Sequence, residues 1–261
     1  MKKTILPALA MLIVAAVMLS TASYAWFAMR SEVSATDMTV SVKSESEYML
    51  IMAVAENYDT SDAATVLSDI RTQNVYTVQG QAIGEKIVAP AAHEITNAAG
   101  FATAANWYTA VGEASGEAAM DDTTKTALGD LDGYVVRYRY IVAMAEGSNP
   151  KAGAWLKNVE VLPQTTISGN QTIDPVKVVV TCGTNYYEFG HTDEGVAFAQ
   201  RAGGDENLFT GELNDDTFYE IMVYVYYDGN HAKLYTDNFA NIVPAKVSIS
   251  LTTTDPAAPQ N

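Results

Sequence analysis

The sequence predicts an all-β protein, an antiparallel β-sandwich. Three observations carry this expectation. Apolar residues recur with period two in at least six separate segments. Gly, Pro, Asn and Asp punctuate the gaps between them, and no strand–helix–strand rhythm of a parallel sheet is present. The 261 residues are 48% apolar and 18% charged, enough for a large core and too apolar for a wholly disordered chain.

The chain opens on an export signal. Lys2 and Lys3 precede a run from Thr4 to Met29 without any charge, with Ile5 to Leu19 as its apolar centre. Ser23 and Ala25 place small residues at −3 and −1 of a cut before Trp26, which predicts a signal peptide over residues 1–25. The same run is long enough to cross about 30 Å of hydrocarbon as an uncleaved anchor. Both readings stand at this stage, and both put the body of the protein outside the cytoplasm. The membrane is then touched only through this segment, and signal peptidase is a partner during export. A type IV pilin is excluded, because Glu32 is followed by Val33, Ser34, Ala35 and Thr36, which form no helical spine.

The strands follow in order. Met38, Val40 and Val42 alternate with Thr39, Ser41 and Lys43, and Tyr48 to Ala55 is a more continuous apolar run. Between Gly133 and Glu146, Tyr134, Val136, Tyr138, Tyr140, Val142 and Met144 share one face, with Arg137 and Arg139 on the other. Trp155, Val159 and Val161 mark a short strand. Val176, Val178, Val180 and Cys182 mark another, with Lys177 and Thr181 opposite. Tyr219, Ile221, Val223, Val225 and Tyr227 line the next. The last sets Val247, Ile249 and Leu251 inside and Lys246, Ser248, Ser250 and Thr252 outside. Helical pattern is confined to Ser61–Arg71, capped by Ser61 or Asp62, and to Lys233–Ile242. The Ala/Gly/Thr-rich stretch 89–132 reads as a long insertion over one end of the sandwich. Residues 255–261, with two prolines, read as a flexible tail.

The block Tyr24-Ala25-Trp26-Phe27, followed by Val33 to Val40, resembles the start of TasA/camelysin-type secreted proteins of Gram-positive bacteria. The closing pattern, Val223 to Asn230, then Asn238 to Asn241, then an alternating strand, is similar to the end of such proteins. The resemblance implies a jelly-roll-like sandwich over residues 44–254. It also implies a secreted subunit of a biofilm-matrix or cell-surface filament. Such subunits polymerise with copies of themselves, head-to-tail, by donor-strand exchange of the mature N-terminus. The donor segment is then 26–43, with Trp26, Phe27, Val33, Met38, Val40 and Val42 at the subunit interface. Residue pattern alone leaves a second assignment open, in which Met38 to Lys43 is the first strand of its own sheet. The other functional expectation is a monomeric, membrane-anchored surface module for adhesion or carbohydrate binding.

Chemistry-bearing patterns are sparse. Fifteen Lys and Arg against 31 Asp and Glu give a net charge of −16, which excludes the clustered cations of a nucleic-acid binder. His93, His191 and His231 lack metal-ligand spacing and read as exposed loop residues, so neither a metal nor a cofactor is expected. The lone Cys182 falls on an apolar strand row and reads as an inert buried thiol. Leu162-Pro163-Gln164-Thr165 lacks the Gly of a sorting signal and reads as a turn. The acidic cluster Asp205, Glu206, Glu212, Asp215 and Asp216 lacks a calcium-loop order. With no nucleophile, acid pair or metal set, an enzyme is not expected.

Overall fold

The computed structural model describes residues 38–45, 48–84, 87, 89–110, 125–162, 165–167, 171–173, 175–190, 199–203, 207–209, 211–231 and 246–254. The signal segment, the second expected helix (233–242) and His191 lie outside these residues. So do the tail and Ser23, Ala25, Trp26, Phe27 and Val33. The elements run β1 (Thr39–Ser44), β2 (Met49–Val54), α1 (Ala63–Gln73), β3 (Thr77–Gln79) and β4 (Ala92–His93). Two 3₁₀ turns (Ala98–Ala102 and Ala104–Asn106) lead into β5 (Trp107–Ala110) and β6 (Lys125–Ala127). Then come β7 (Val135–Met144), β8 (Trp155–Leu162), β9 (Thr165–Ile167), β10 (Gln171–Ile173) and β11 (Val176–Cys182). The chain ends with β12 (Asn185–Gly190), β13 (Ala199–Gly203), β14 (Phe218–Tyr227) and β15 (Lys246–Thr252).

The fold is all-β in kind, with two sheets facing each other. One has the order β3-β1-β15-β8 and the other β13-β12-β11-β14-β7-β2. Period-two alternation decides which side chains meet between them. Val40, Val42, Val159, Val161, Val247, Ile249 and Leu251 face Met49, Ile51, Val136, Tyr138, Tyr140, Val142, Val178, Val180, Ile221, Val223 and Val225 in one apolar cluster. Pairing is antiparallel throughout both sheets except between β1 and β15, which run parallel, Thr39 opposite Lys246 through Ser44 opposite Leu251. The expectation of a purely antiparallel sandwich is corrected there.

The continuous apolar run of β2 has a physical reason: both its faces are covered. Met49 and Ile51 enter the central core, while Leu50, Met52 and Val54 pack against Val66, Leu67 and Ile70 of α1. The helix begins where Asp62 Oδ1 accepts the Ala64 N–H at 3.1 Å, and it ends on Asn74 in the left-handed region at φ 49°. The observed span sits two residues C-terminal to the predicted one, with Asp62 as the cap.

Three further expectations are corrected. In β8 the buried residue is Leu156 and not Trp155, because a bulge shifts the register opposite Ser250 and Leu251. Ser250 and Thr252, expected outside, are buried. The insertion does not cover an end of the sandwich. Its described part forms the sheet β4-β5-β6, whose Ala91, Phe101 and Trp107 pack on Val135, Val179, Tyr224 and Tyr226. It is a third layer on the outer face of the six-stranded sheet.

Candidate functional site

Two places in this architecture concentrate specific interactions. The first is the slot that holds β1. Of the predicted interface residues, Met38, Val40 and Val42 are described, and all three are buried, Val40 completely. Their strand lies between β15 and the three-residue β3, where Ser41, Val42 and Lys43 pair with Gln79, Val78 and Thr77. The opposite sheet also grips its backbone. The Tyr138 hydroxyl donates to the Met38 carbonyl at 2.8 Å and the Tyr140 hydroxyl to the Val40 carbonyl at 2.9 Å. Burial pushes the Tyr138 phenol up to about 12 and raises Tyr140 further, so both remain donors. The Gly80 N–H shares the Val40 carbonyl at 2.8 Å. A Cβ at Gly80 would stand 2.2 Å from the Tyr140 hydroxyl, which is why a glycine follows β3 there.

Past the slot, Glu45 extends the ladder by donating its N–H to the Leu251 carbonyl, and its carboxylate pairs with Lys43 and Lys157. Hydrogen bonds from these two lysines hold the Glu45 carboxyl below its ordinary value. Tyr48, the last residue before β2, is 53% exposed and has φ 70°, a strained backbone for an aromatic residue.

The second place is a buried charge cluster beneath the insertion layer. Lys177 leaves the outward face of β11, and its Nζ lies 2.8 Å from Glu188 Oε1 and 3.0 Å from Asp228 Oδ2. His93 Nε2 is 3.1 Å from Glu188 Oε2. The strand pairing brings them together: Lys177 lies opposite Gly190 on one side and Tyr226 on the other. Glu188 and Asp228 are therefore its diagonal neighbours on the same face. Gly190 makes room for the lysine stem, since a Cβ there would stand 3.1 Å from Lys177 Cγ. Asp228 is fixed by its own turn, with Oδ1 accepting the Asn230 N–H at 3.0 Å. The rings of Phe101, Trp107 and Tyr226 stand edge-on around His93, with centroids 4.9, 5.0 and 5.6 Å away.

Burial opposes ionisation of Glu188. The hydrogen bonds from His93 and Lys177 and the lysine charge win, and hold its carboxyl at about 2. Burial likewise disfavours the charged Lys177, but the Asp228 and Glu188 carboxylates raise its value above the ordinary one. His93 is not placed as a general base. Its Nδ1 accepts the Ile95 N–H at 3.3 Å while Nε2–H serves Glu188, so the neutral ring has no free lone pair.

The expectation of exposed loop histidines is corrected for two of the three, as His93 and His231 are buried. Cys182 is buried as expected, and burial pushes its thiol up to about 12. Among the described residues no three His, Cys, Asp or Glu side chains converge as metal ligands. No described helix is long and apolar enough to cross a membrane. An open cleft of about 870 Å³ also lies on the outer sheet face, over Arg137, Arg139 and Glu220. Arg139 is committed there to holding the 56–60 loop through the Glu56 and Tyr58 carbonyls, the Thr60 hydroxyl and the Glu220 carboxylate.

Sequence reading missed the Lys177–Glu188–Asp228–His93 cluster. In the sequence Lys177 simply stands opposite the apolar row of β11 and His93 reads as a loop residue, yet the outward row also contains Val179, Tyr224 and Tyr226. That apolar content is the signal that something covers this face. No protein-family model, no curated protein and no solved structure matches the chain.

Proposed function

We propose that this chain is a structural, non-enzymatic subunit of an extracellular filament of the biofilm matrix or cell surface. Its sandwich is jelly-roll-like, and it polymerises head-to-tail when the β1 of one copy fills the slot of the next. The observation that carries this reading is the manner in which β1 is held. It is a terminal strand of the described fold, joined to β2 by four residues and seated between two strands that do not adjoin it in sequence. Every contact it makes in its own chain is equally available to a neighbour's β1. An empty slot would expose the β15 edge and an apolar trough, which gives exchange its driving force. The resemblance of the N-terminal and C-terminal segments to TasA/camelysin-type proteins points the same way.

A second reading, an anchored monomeric module for adhesion or carbohydrate binding, draws on the open cleft over Arg137 and Glu220.

Ser41 and Ser248 are direct partners across the parallel β1–β15 pair, within the reach of a disulfide. In the secreted Ser41→Cys/Ser248→Cys protein, oxidation of filaments should link successive copies. The expected result is a ladder on a denaturing gel that collapses to one band with reductant. Filaments that yield only internally bridged monomer would rule out exchange at β1. Monomer at every concentration would favour the anchored module.

A further inference from the structure

The geometry points to a covalent cross-link between β11 and the end of β14: an amide bond between Lys177 Nζ and Asp228 Cγ, formed within the folded chain with Glu188 as the proton carrier. This inference does not depend on the filament reading.

Three features of the cluster carry it. The first is placement. Lys177 Nζ already sits 3.0 Å from one Asp228 oxygen, and the pairing of Lys177 with Tyr226 and of Val176 with Tyr227 fixes the backbones that bring them together. Holding an amine against a carboxyl in this way replaces a bimolecular encounter, and effective molarities of well-oriented pairs reach about 10⁵–10⁸ M. The second is the division of labour between the Asp228 oxygens. Oδ1 is held by the Asn230 N–H, a donor aimed where negative charge develops during attack, while Oδ2 faces the lysine. The third is Glu188, 2.8 Å from Nζ and itself buried, with its other oxygen anchored by His93. It is positioned to take protons from the amine and pass them to the leaving oxygen. The rings of Phe101, Trp107 and Tyr226 stand around His93 and keep the oxygen of Glu188 that it holds away from bulk water.

The step balances without any co-reactant. The ammonium of Lys177 gives one proton, through Glu188, to the Asp228 carboxylate, leaving a neutral amine and a neutral acid. Nζ then bonds to Cγ, and the negative charge forms on Oδ1 against the Asn230 N–H. Glu188 takes a second proton from nitrogen and delivers it to Oδ2. The Cγ–Oδ2 bond breaks and one water leaves. Lys177 and Asp228 become an amide, and Glu188 ends as the carboxylate it began.

Intact-mass measurement of the purified full chain tests this directly. The folded protein should weigh one water less than its sequence. Trypsin should then release residues 158–201 joined to 202–233, with no cleavage after Lys177. Lys177→Arg and Glu188→Gln should each keep the full sequence mass. Where either substitution impairs folding, the near-isosteric Asp228→Asn still reports. It should form the same amide with loss of ammonia, reaching the same final mass as the unsubstituted chain. Full sequence mass in the folded wild-type protein, with normal cleavage after Lys177, overturns the proposal. Loss of water that persists in Lys177→Arg overturns it equally.

Discussion

Glu188 shows how one residue ties pH to stability. Its carboxyl ordinarily titrates at 4.5 and is held at about 2 by His93 and Lys177. A depressed carboxyl contributes stability that is present above the unfolded value and is lost as pH falls through the folded one. The window is therefore pH 4.5 down to about 2, and the size at neutral pH is roughly 3 kcal/mol. Asp228→Ala keeps the Lys177–Glu188 pair and cannot form an amide, so it isolates this effect. Chemical denaturation of Asp228→Ala should lose stability across that window, and adding Glu188→Gln should flatten the acid limb. An unchanged acid limb in the double variant would show that Glu188 is not ionised in the fold. In the amide-linked protein the lysine charge is gone and His93 alone depresses Glu188, which narrows the window from its lower end.

At the scale of elements, β1 is where sequence and structure meet most informatively. Its alternation places Val40 inward and Ser41 outward, and the structure has Val40 fully buried and Ser41 half-buried on the other face. Val40→Asp puts an uncompensated charge in the core, which costs on the order of 3–5 kcal/mol. Ser41→Asp should change stability by about 0.5 kcal/mol or less, as surface changes do. Thermal melts of the two variants check this; equal losses would mean that the strand does not hold the register described. Such alternation made the central strands legible, because each sends one apolar row into the core between the two sheets. Leu156 was not legible: a bulge is set by how two strands meet, and β8 alone carries no mark of it. Nor was the parallel β1–β15 pair, because periodicity gives the inward face of a strand and not the direction of its partner. The cluster around Lys177 was hidden for a related reason. At the extremes, His93 lies 84 residues before Lys177 and Asp228 lies 51 after it, and only the docking of Ala91, His93 and Trp107 onto the sheet makes those charges buried.

For the whole molecule, assembly is decided by small terms. A β1 exchanged between copies makes the same hydrogen bonds and core contacts as a β1 folded back on its own chain. Those large contributions cancel between monomer and filament. What does not cancel is the connection that must turn back in one state and run onward in the other. Tyr48 closes that connection with φ 70°; its side chain is largely exposed, and its carbonyl accepts the Ala145 N–H at 2.7 Å. The left-handed region costs an ordinary residue about 1–2 kcal/mol and costs glycine almost nothing. If exchange extends the turn, that strain is relieved on assembly and favours the filament. Tyr48→Gly should then stabilise the self-paired monomer and raise the concentration at which filaments appear by about tenfold, the equivalent of 1.4 kcal/mol. Light scattering against concentration, with electron microscopy of the scattering species, measures that threshold. A threshold that stays in place while Tyr48→Gly raises the monomer's melting temperature would show that the turn keeps its shape on assembly. The strand would then have to come from a neighbour without the chain opening at Tyr48.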